Sequence, residues 1–469
     1  MKLLNLLLAP FQFFGRFIAK IMGKTEKPKS TSKEPKKFST FEGVFTPTVL
    51  TILGVIMYLR QPWVVGNAGV FGAVLIILLA ISITLCTALS MASMTTNIRI
   101  GRGGAFSIIS QSLGLEVGGS IGLPLYFSQA FAVAMYVFGF REGVEWLIQK
   151  MANDPQSVLS PTLSWIINFG TFIVVYAIVK ISTNFAFKIQ YVLMGLVGAS
   201  ILSILGGLLN VDVAANWENI RWVGDFDGGE SSFWIVFAVF FPAVTGIMAG
   251  ANMSGELKDP RKAIPTGTLG AVALTGVVYI ALILVAALLA DRNDLISDYN
   301  IFIDRSYWWP VVILGLLGAT FSSALASLVG APRILAALGE FNILPKSEFF
   351  AKTNKKGEPE NAVMFTGIIV FISLLAGDLN AIAPLITMFF MITYAMINIV
   401  VVIEQSLGLP SFRPTLKIHI LIPLLGALGC IFVMFIINAI FALVSMGLVI
   451  AFYWYLLKRD LKGQKGDAR

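Results

Sequence analysis

The feature that most constrains this chain is a succession of apolar runs, each long enough to cross a bilayer. A helix needs about 20 apolar residues to cross the hydrocarbon core. Of the 469 residues, 57% are hydrophobic and 13% are charged, whereas soluble domains have about 25% charged residues. We predict twelve spans, numbered in order, at 43–66, 69–95, 119–147, 161–181, 184–209, 232–256, 263–290, 309–338, 360–377, 380–404, 417–438 and 440–457. The sequence therefore predicts an all-α polytopic membrane protein with twelve transmembrane helices.

The charges between the spans are sorted by sign. The basic loops contain Arg99, Arg102, Lys180, Lys188, Lys258, Arg261, Lys262, Lys346, Lys352, Arg413 and Lys417, and the acidic loops contain Asp212, Glu218, Asp225, Asp291, Asp294, Asp298 and Asp304. Basic loops of multi-pass proteins stay in the cytoplasm. We therefore expect a multi-pass protein of the cell (plasma) membrane with both termini cytoplasmic. The net charge of +8 follows from this sorting and does not indicate a nucleic-acid partner.

Three regions are expected along the chain. Residues 1–40 are interpreted as a cytoplasmic amphipathic segment and a basic linker, 41–457 as a transmembrane transport domain, and 458–469 as a short cytoplasmic tail. A signal peptide is the alternative for the first 24 residues. It is disfavoured because no small-residue cleavage site follows and cationic residues recur at helical spacing.

Two spans contain helix-breaking residues at matching places. Span one contains Pro47, Thr51 and Gly54, and span six contains Pro242 and Thr245-Gly246. Proline removes a backbone donor and glycine lowers helix propensity. The spans are five apart, so they have opposite orientations, and paired interrupted helices in inverted halves indicate a transporter binding site. Glycine and proline are also common in membrane helices generally, which leaves simple packing open.

The spans contain almost no carboxylate away from their ends, so a bound cation would need neutral oxygens. Backbone carbonyls and the hydroxyls of Thr51, Tyr136, Thr245, Ser322 and Ser323 are candidates. Such ligands leave the positive charge uncompensated, and the amino ends of broken half-helices can hold a compensating anion. We therefore expect a cation and an anion to bind together. The serines could instead serve helix packing, and Tyr136 could be an ordinary packed aromatic.

Several stretches around these positions share one family pattern. They are Gly54-Val55, Leu59-Arg60, Arg102-Gly103-Gly104-Ala105, Ala132-Val133-Ala134-Met135-Tyr136-Val137, Phe241-Pro242-Ala243, Thr245-Gly246-Ile247, Ala249-Gly250-Ala251-Asn252, Ser322-Ser323-Ala324-Leu325-Ala326-Ser327-Leu328, and Tyr394-Ala395 with Ile397-Asn398. On these residues the chain resembles the cation–chloride cotransporter family, within the amino acid–polyamine–organocation superfamily, over about residues 41–457. The resemblance implies a LeuT-type fold, with spans one to five and six to ten as a 5+5 inverted repeat, two extra helices, and broken helices 1 and 6.

The resemblance also implies ion sites and a gate. Potassium would bind Tyr136, Thr245, Pro242, Thr51 and Ile52. One chloride would bind the amides of Gly54, Val55 and Ile56, and a second those of Gly246, Ile247 and Met248 with the Tyr394 hydroxyl. Sodium would bind Leu50, Leu53, Ala319, Ser322 and Ser323, and an outer gate would pair Arg60 with Glu142.

The serine pair places the chain with the sodium-dependent branch, because relatives that move only potassium and chloride lack both hydroxyls. Tyr136 favours potassium as well. Thr51 stands where the family has asparagine, and the segment around Pro47 resembles the potassium–chloride branch. The expected function is thus a symporter coupling sodium, with potassium, to chloride. Potassium–chloride symport without sodium remains an alternative.

Few residues follow span twelve, so we expect this short homologue to lack the family's C-terminal cytoplasmic domain. A dimer is possible on the resemblance alone, but dimerisation and regulation cannot be carried over. An amino-acid permease on the same fold remains open. A membrane enzyme is disfavoured because His419 is the single histidine and has no carboxylate partner nearby in the sequence. No cofactor is expected, and the expected partners are inorganic ions and the lipid bilayer.

Overall fold

The computed structural model describes residues 37–98, 100–152, 159–181, 183–224, 232–354, 357–375, 379–408 and 412–459. The predictions for the amphipathic N-terminal segment up to residue 36 and for the tail from residue 460 lie outside these residues. Within them, the one pairing of extended backbone is a bridge between Phe38 and Leu257, and the regular structure is otherwise helical. The all-α prediction is confirmed.

The helices follow the predicted spans closely. Spans one and two comprise Phe41–Phe45, Thr46–Ile52, Val55–Leu59 and Gln61–Asn97. Spans three to five are Leu115–Ala152, Pro161–Ile181 and Thr183–Gly206, and span six comprises Phe233–Phe240, Phe241–Ile247, Met248–Ala251 and Ser254–Glu256. Spans seven to ten are Pro260–Leu289, Trp309–Glu340, Glu360–Leu374 and Leu379–Ser406, and the helix Leu421–Lys458 covers spans eleven and twelve. Shorter connecting helices are Ala105–Leu113, Gly207–Asn210, Val213–Glu218, Arg292–Ser297, Ile301–Asp304 and Ser347–Ala351.

The number of membrane crossings differs from the prediction when length and apolar character alone are used. By these criteria, ten helices of the described chain are long and apolar enough to cross a membrane. Glu360–Leu374 has only 15 residues. The 38-residue helix Leu421–Lys458 contains non-helical backbone at Asn438 (φ −164°, ψ 106°), where spans eleven and twelve were predicted to separate. Dividing this helix at Asn438 and counting the short ninth helix would give twelve segments. Length and apolar character alone, however, do not confirm the predicted count of twelve.

Gly69 marks the boundary between spans one and two. Its backbone is non-helical, with a φ of 66°. The helix Gln61–Asn97 is therefore kinked at this residue, with residues 61–68 on one side and 70–97 on the other. A Cβ atom here would lie 2.7 Å from the backbone nitrogen of Gly224. The amide of Val70 donates to the carbonyl of Arg221 at 3.0 Å, so the connection before span six packs against this bend. Both the positive φ and the close approach require glycine.

The centre of the bundle is formed by spans one, three, eight and ten, which are mostly buried, whereas spans four, five, eleven and twelve present much of their apolar surface outward. Outward apolar side chains are expected where lipid is the solvent. Spans three and eight pack against each other, and span one lies against span eight and span six. This arrangement places both interrupted helices beside the buried middle of span eight.

Candidate ion-binding site

Span one is broken in its middle. The helix Thr46–Ile52 ends at Leu53 (φ −78°, ψ 49°), and a new helix starts at Val55 after Gly54 (φ −92°, ψ −156°). The last carbonyls of a helix and the first amides of the next lack intrahelical partners. The predicted break therefore exposes carbonyl oxygens before Gly54 and amide hydrogens from Gly54 onward within a few ångströms of each other.

Span six is interrupted in a different way. Its α-helix Phe233–Phe240 gives way to a 3₁₀-helix, Phe241–Ile247, with Pro242 in the first turn, and α-helix resumes at Met248. A 3₁₀-helix is wound more tightly and keeps i to i+3 hydrogen bonds. The predicted interruption is confirmed, but the chain tightens at this point and does not open into an extended stretch as span one does.

The break in span one is surrounded by three other spans. A Cβ atom on Gly54 would lie 3.9 Å from both the Ser323 hydroxyl oxygen in span eight and the Tyr136 ring in span three. A Cβ atom on Gly246 in span six would lie 2.9 Å from the Thr51 side chain. The two glycines thus let spans three, six and eight approach span one closely, and Thr51, Tyr136 and Ser323 of the predicted ligands lie beside them.

The residues predicted for sodium lie between spans one and eight. The Ser323 hydroxyl lies 3.1 Å from the Leu50 carbonyl and 2.8 Å from the Ala319 carbonyl, and it can donate to either. Ser322 is fully buried, and its hydroxyl has no hydrogen-bond partner among the residues that the structure describes. Buried polar atoms are normally paired, so a hydroxyl of this kind fits a cation ligand.

The residues predicted for potassium are also close together, and several already bond to protein groups. The Thr245 hydroxyl donates to the Pro242 carbonyl at 2.8 Å, and the Thr51 hydroxyl donates to the Pro47 carbonyl at 2.6 Å. The Ile52 carbonyl accepts from Tyr279 of span seven at 2.7 Å. Donating hydroxyls and carbonyls keep lone pairs after one hydrogen bond, so these oxygens can still coordinate a cation.

The two predicted chloride positions differ in geometry. Gly54, Val55 and Ile56 form the amino end of the second half of span one. Gly246 and Ile247 belong to the 3₁₀-helix, and Met248 begins the α-helix that follows it. The Tyr394 hydroxyl of span ten donates to the Thr245 carbonyl, the residue just before this amide group. The predicted tyrosine therefore reaches the interrupted part of span six, where its proton is directed at a carbonyl.

The two residues predicted to form an outer gate lie close together. Arg60 and Glu142 approach to 3.8 Å, and both side chains are mostly covered. The Arg60 guanidinium also stacks 4.2 Å from the centre of the Tyr299 ring, in the loop between spans seven and eight. Cation–π stacking of this kind adds to the ion pair, so the loop that contains Tyr299 helps to hold Arg60 in place.

A second set of polar contacts lies near the carboxyl end of span eight. Arg333 of span eight pairs with Glu256 at 2.6 Å, and Arg102 pairs with Glu340 at 3.2 Å. Asn252 borders a cavity of about 20 Å³ beside Arg333, and neither atom of its buried side-chain amide has a partner in the described part of the chain. The central residues thus lie between the Arg60–Glu142 pair and this second group of ion pairs.

Some residues of this site were missed from sequence. They are Tyr279 and Tyr299. Asn252 and Asn398 belong to the family pattern, but their place in the site was also missed. Each is a single polar or aromatic residue in an apolar or loop context. An isolated polar residue inside a membrane span is a signal that could have identified Tyr279 and Asn398 as contacts between helices, but their partners cannot be read from local sequence.

Comparison with known proteins places these observations in a family context. The family model for amino acid permeases matches residues 43–467. Solute carrier family 12 member 9 of Danio rerio is 33% identical over 467 residues, covering 90% of this chain and 51% of that protein. Cation-chloride cotransporter 1 of Oryza sativa subsp. japonica is 33% identical over 488 residues, covering 94% and 48%. Solute carrier family 12 member 2 of Squalus acanthias is 35% identical over 483 residues, covering 92% and 40%.

The chain spans about half the length of these relatives, or less. The family match covers all the spans, and spans one and six are interrupted as predicted. These findings confirm the predicted LeuT-type 5+5 arrangement with further helices after span ten.

Proposed function

Because the chain belongs to the amino acid permease family and is a homologue of the cation–chloride cotransporters, we propose that it is a secondary active symporter of cations and chloride. Sodium, together with potassium, would drive chloride across the plasma membrane by alternating access, with both termini in the cytoplasm. The proposal concerns transport and not catalysis. Within the described residues, no three side chains of His, Cys, Asp or Glu are grouped to hold a metal.

One observation carries this proposal. The helix of span one is broken at Gly54, where a Cβ atom would lie 3.9 Å from both the Ser323 hydroxyl oxygen and the Tyr136 ring, which stand on two other spans. A site of this kind offers oxygen ligands to a cation and hydrogen-bond donors to an anion at short range. Opposite charges held this close stabilise each other strongly where the dielectric is low, and this supports co-transport of the two ions.

For sodium, we propose Ser322 and Ser323 with the carbonyls of Leu50, Leu53 and Ala319. The unpartnered Ser322 hydroxyl supports this assignment, and so does the position of Ser323 between the Leu50 and Ala319 carbonyls. Hydroxyl and carbonyl oxygens are hard ligands that suit alkali cations. Sodium would thus hold span one against span eight, which couples its binding to the movement of the interrupted helix.

For potassium, we propose Tyr136 and Thr245 with the side chain of Thr51 and the carbonyls of Pro242 and Ile52. Thr51 supports this position because its side chain faces Gly246 at the junction of spans one and six and remains partly accessible. A threonine hydroxyl coordinates through one oxygen, and that oxygen can bind the cation while its hydrogen is still donated to the Pro47 carbonyl.

For chloride, we propose two positions beside the cation ligands. The first is at the amides of Gly54, Val55 and Ile56, which open a helix and so carry partial positive charge. The second is at Gly246, Ile247 and Met248, where the Tyr394 hydroxyl would turn its proton from the Thr245 carbonyl to the anion. Arg60 and Glu142, with Tyr299, would close the pathway above these positions.

The decisive experiment measures uptake of radiolabelled chloride into proteoliposomes that contain the purified chain. We expect uptake to require sodium and to rise further with potassium, with no uptake when both cations are replaced by N-methylglucamine. Chloride uptake that is unchanged when both sodium and potassium are removed would overturn the proposal.

Potassium–chloride symport without sodium is the second candidate. The Ser323 hydroxyl is already bonded to protein carbonyls, which is the arrangement expected if the serine served packing alone. Uptake that needs potassium and is unchanged by sodium removal would select this candidate.

An amino-acid permease is the third candidate, because the matching family model carries that description. Ile247 and Met248 are fully buried beside the interrupted segment, which leaves little room for an amino-acid side chain. Uptake of an amino acid without chloride would select this reading.

A further inference from the structure

Asn398 lies one helical turn after Tyr394 in span ten and is completely buried. Its side-chain nitrogen donates to the Tyr394 carbonyl at 2.9 Å and to the Thr87 hydroxyl of span two at 2.8 Å. Its side-chain oxygen accepts from the Ser90 hydroxyl, also in span two, at 2.7 Å. Both donor hydrogens and one acceptor position of the amide are therefore used, and all of these contacts lie in the apolar interior.

The surroundings hold the amide in this orientation. A Cβ atom on Gly426 in span eleven would lie only 2.6 Å from the Asn398 side-chain oxygen, so glycine is needed for the close approach. The Thr87 hydroxyl of span two lies 4.0 Å from the Cys430 thiol of span eleven and 3.2 Å from the Ile83 carbonyl of its own span. Asn398 is thus enclosed by spans two and eleven, with little freedom to rotate.

Tyr394 is joined to this network through its backbone carbonyl. Its ring is fully buried, and its hydroxyl reaches the Thr245 carbonyl in the 3₁₀ part of span six. We propose that Asn398 is a positioning residue, which ties span ten to span two so that the Tyr394 hydroxyl stands at the second chloride position. This inference rests on the proposed function, because it assigns Asn398 a role in chloride affinity.

The physical basis is the directionality of the contacts. Each hydrogen bond between membrane helices contributes little free energy on average, so the network adds little to overall stability. A tyrosine hydroxyl, however, must stand within about 0.5 Å of its productive place to bond a ligand. A small displacement of span ten would therefore weaken chloride binding more than it weakens the fold.

The test measures chloride KM and maximal rate in proteoliposomes for Asn398→Ala, Ser90→Ala and Tyr394→Phe. For Asn398→Ala we expect chloride KM to rise about fivefold to tenfold, the effect of losing roughly one buried hydrogen bond. The maximal rate and the sodium KM should stay within about twofold. Ser90→Ala removes one contact only and should give a smaller increase in the same direction, which keeps the test valid if the Asn398 variant folds poorly.

A double-mutant cycle distinguishes positioning from general packing. If Asn398 acts through the Tyr394 hydroxyl, adding Asn398→Ala to Tyr394→Phe should change chloride KM by less than about twofold. The control is Thr366→Ala, which removes a comparable buried contact to Tyr126 at 3.3 Å and should leave chloride KM unchanged.

Three results would count against the proposal. An unchanged chloride KM in Asn398→Ala, or fully additive effects in the cycle, would overturn the positioning role while leaving the symporter function intact. Absence of cation-dependent chloride uptake by the unmodified chain would overturn the proposed function, and this inference with it.

Discussion

Ser323 in span eight places its hydroxyl 3.1 Å from the carbonyl of Leu50 in span one, although 273 residues separate them in the chain. The contact joins an unbroken helix to the half-helix that ends just before Gly54. Because Ser323 also approaches the Ala319 carbonyl of its own helix, three oxygens of the proposed sodium site stand together. Movement of span one relative to span eight must change this group, so occupancy of the proposed sodium site would be linked to conformation.

Ser322→Ala should separate ion binding from stability. The Ser322 hydroxyl is buried without a partner among the described residues, so its removal costs the fold no hydrogen bond. We expect an unchanged or higher melting temperature in sodium-free detergent, and a sodium KM raised about tenfold, equivalent to roughly 1.4 kcal/mol. Ser327→Ala, one turn beyond Ser323, is the matched control and should alter neither quantity. An unaltered sodium KM in Ser322→Ala would assign the serine to packing.

Tyr136→Phe should weaken potassium dependence selectively. The Tyr136 ring lies beside the break in span one, 3.9 Å from where a Cβ atom on Gly54 would be, and the change removes only the phenolic oxygen. We expect potassium KM to rise about fivefold or more, with sodium KM within about twofold, when chloride uptake is measured against each cation. Tyr126→Phe in the same span, where the hydroxyl faces Thr366, serves as control. Equal loss of dependence on both cations would contradict the potassium assignment.

Gly246→Ala should disturb the junction of spans one and six. The added methyl group would lie 2.9 Å from the Thr51 side chain and 3.1 Å from that of Ile52, and overpacking of this kind costs about 1–3 kcal/mol. We expect a lower melting temperature and loss of chloride uptake. Gly195→Ala in span five has no atom within 4 Å of the new methyl group and should be neutral or slightly stabilising. A fully active Gly246→Ala protein would show that the two spans can separate without consequence.

Asp298, in the loop between spans seven and eight, should make stability depend on pH. Burial raises the pKa of its carboxyl group, and the neighbouring Asp304 and Asp294 raise it further, while the Asn300 amide and Arg305 oppose this. Because the pKa of this carboxyl group is higher in the folded state than in the unfolded state, folding disfavours its ionisation. The free energy of unfolding therefore falls as the pH rises from the unfolded-state pKa through the folded-state pKa.

Asp298→Asn keeps an acceptor for the Asn300 amide, which donates to this side chain at 2.7 Å. We expect a higher melting temperature for the variant near pH 7.5, and a difference that disappears in acid once the native carboxyl is protonated. Glu218→Gln, an exposed acid of the other acidic loop, should show no such trend. A variant that is less stable than the parent at pH 7.5 would refute the expected sign.

Much of the site was accessible from sequence because its signals are local. The apolar runs predicted the spans since lipid admits only helices with satisfied backbones. Pro47 and Gly54, like Pro242 and Gly246, marked the interruptions, because these residues act on the backbone at their own positions. The absence of a deep carboxylate likewise predicted neutral oxygen ligands from composition alone.

The direction of each contact was decided by tertiary structure. Sequence could not indicate that Tyr279 donates to the Ile52 carbonyl, that Tyr299 stacks on Arg60, or that span six tightens into a 3₁₀-helix where span one opens. These features depend on neighbours from distant spans. Helices that are apolar all round also carry no periodic signal to indicate which face is turned inward. The residue types of the site were therefore determined by sequence, whereas their hydrogen-bond partners were set by the packing of spans one, three, six, eight and ten.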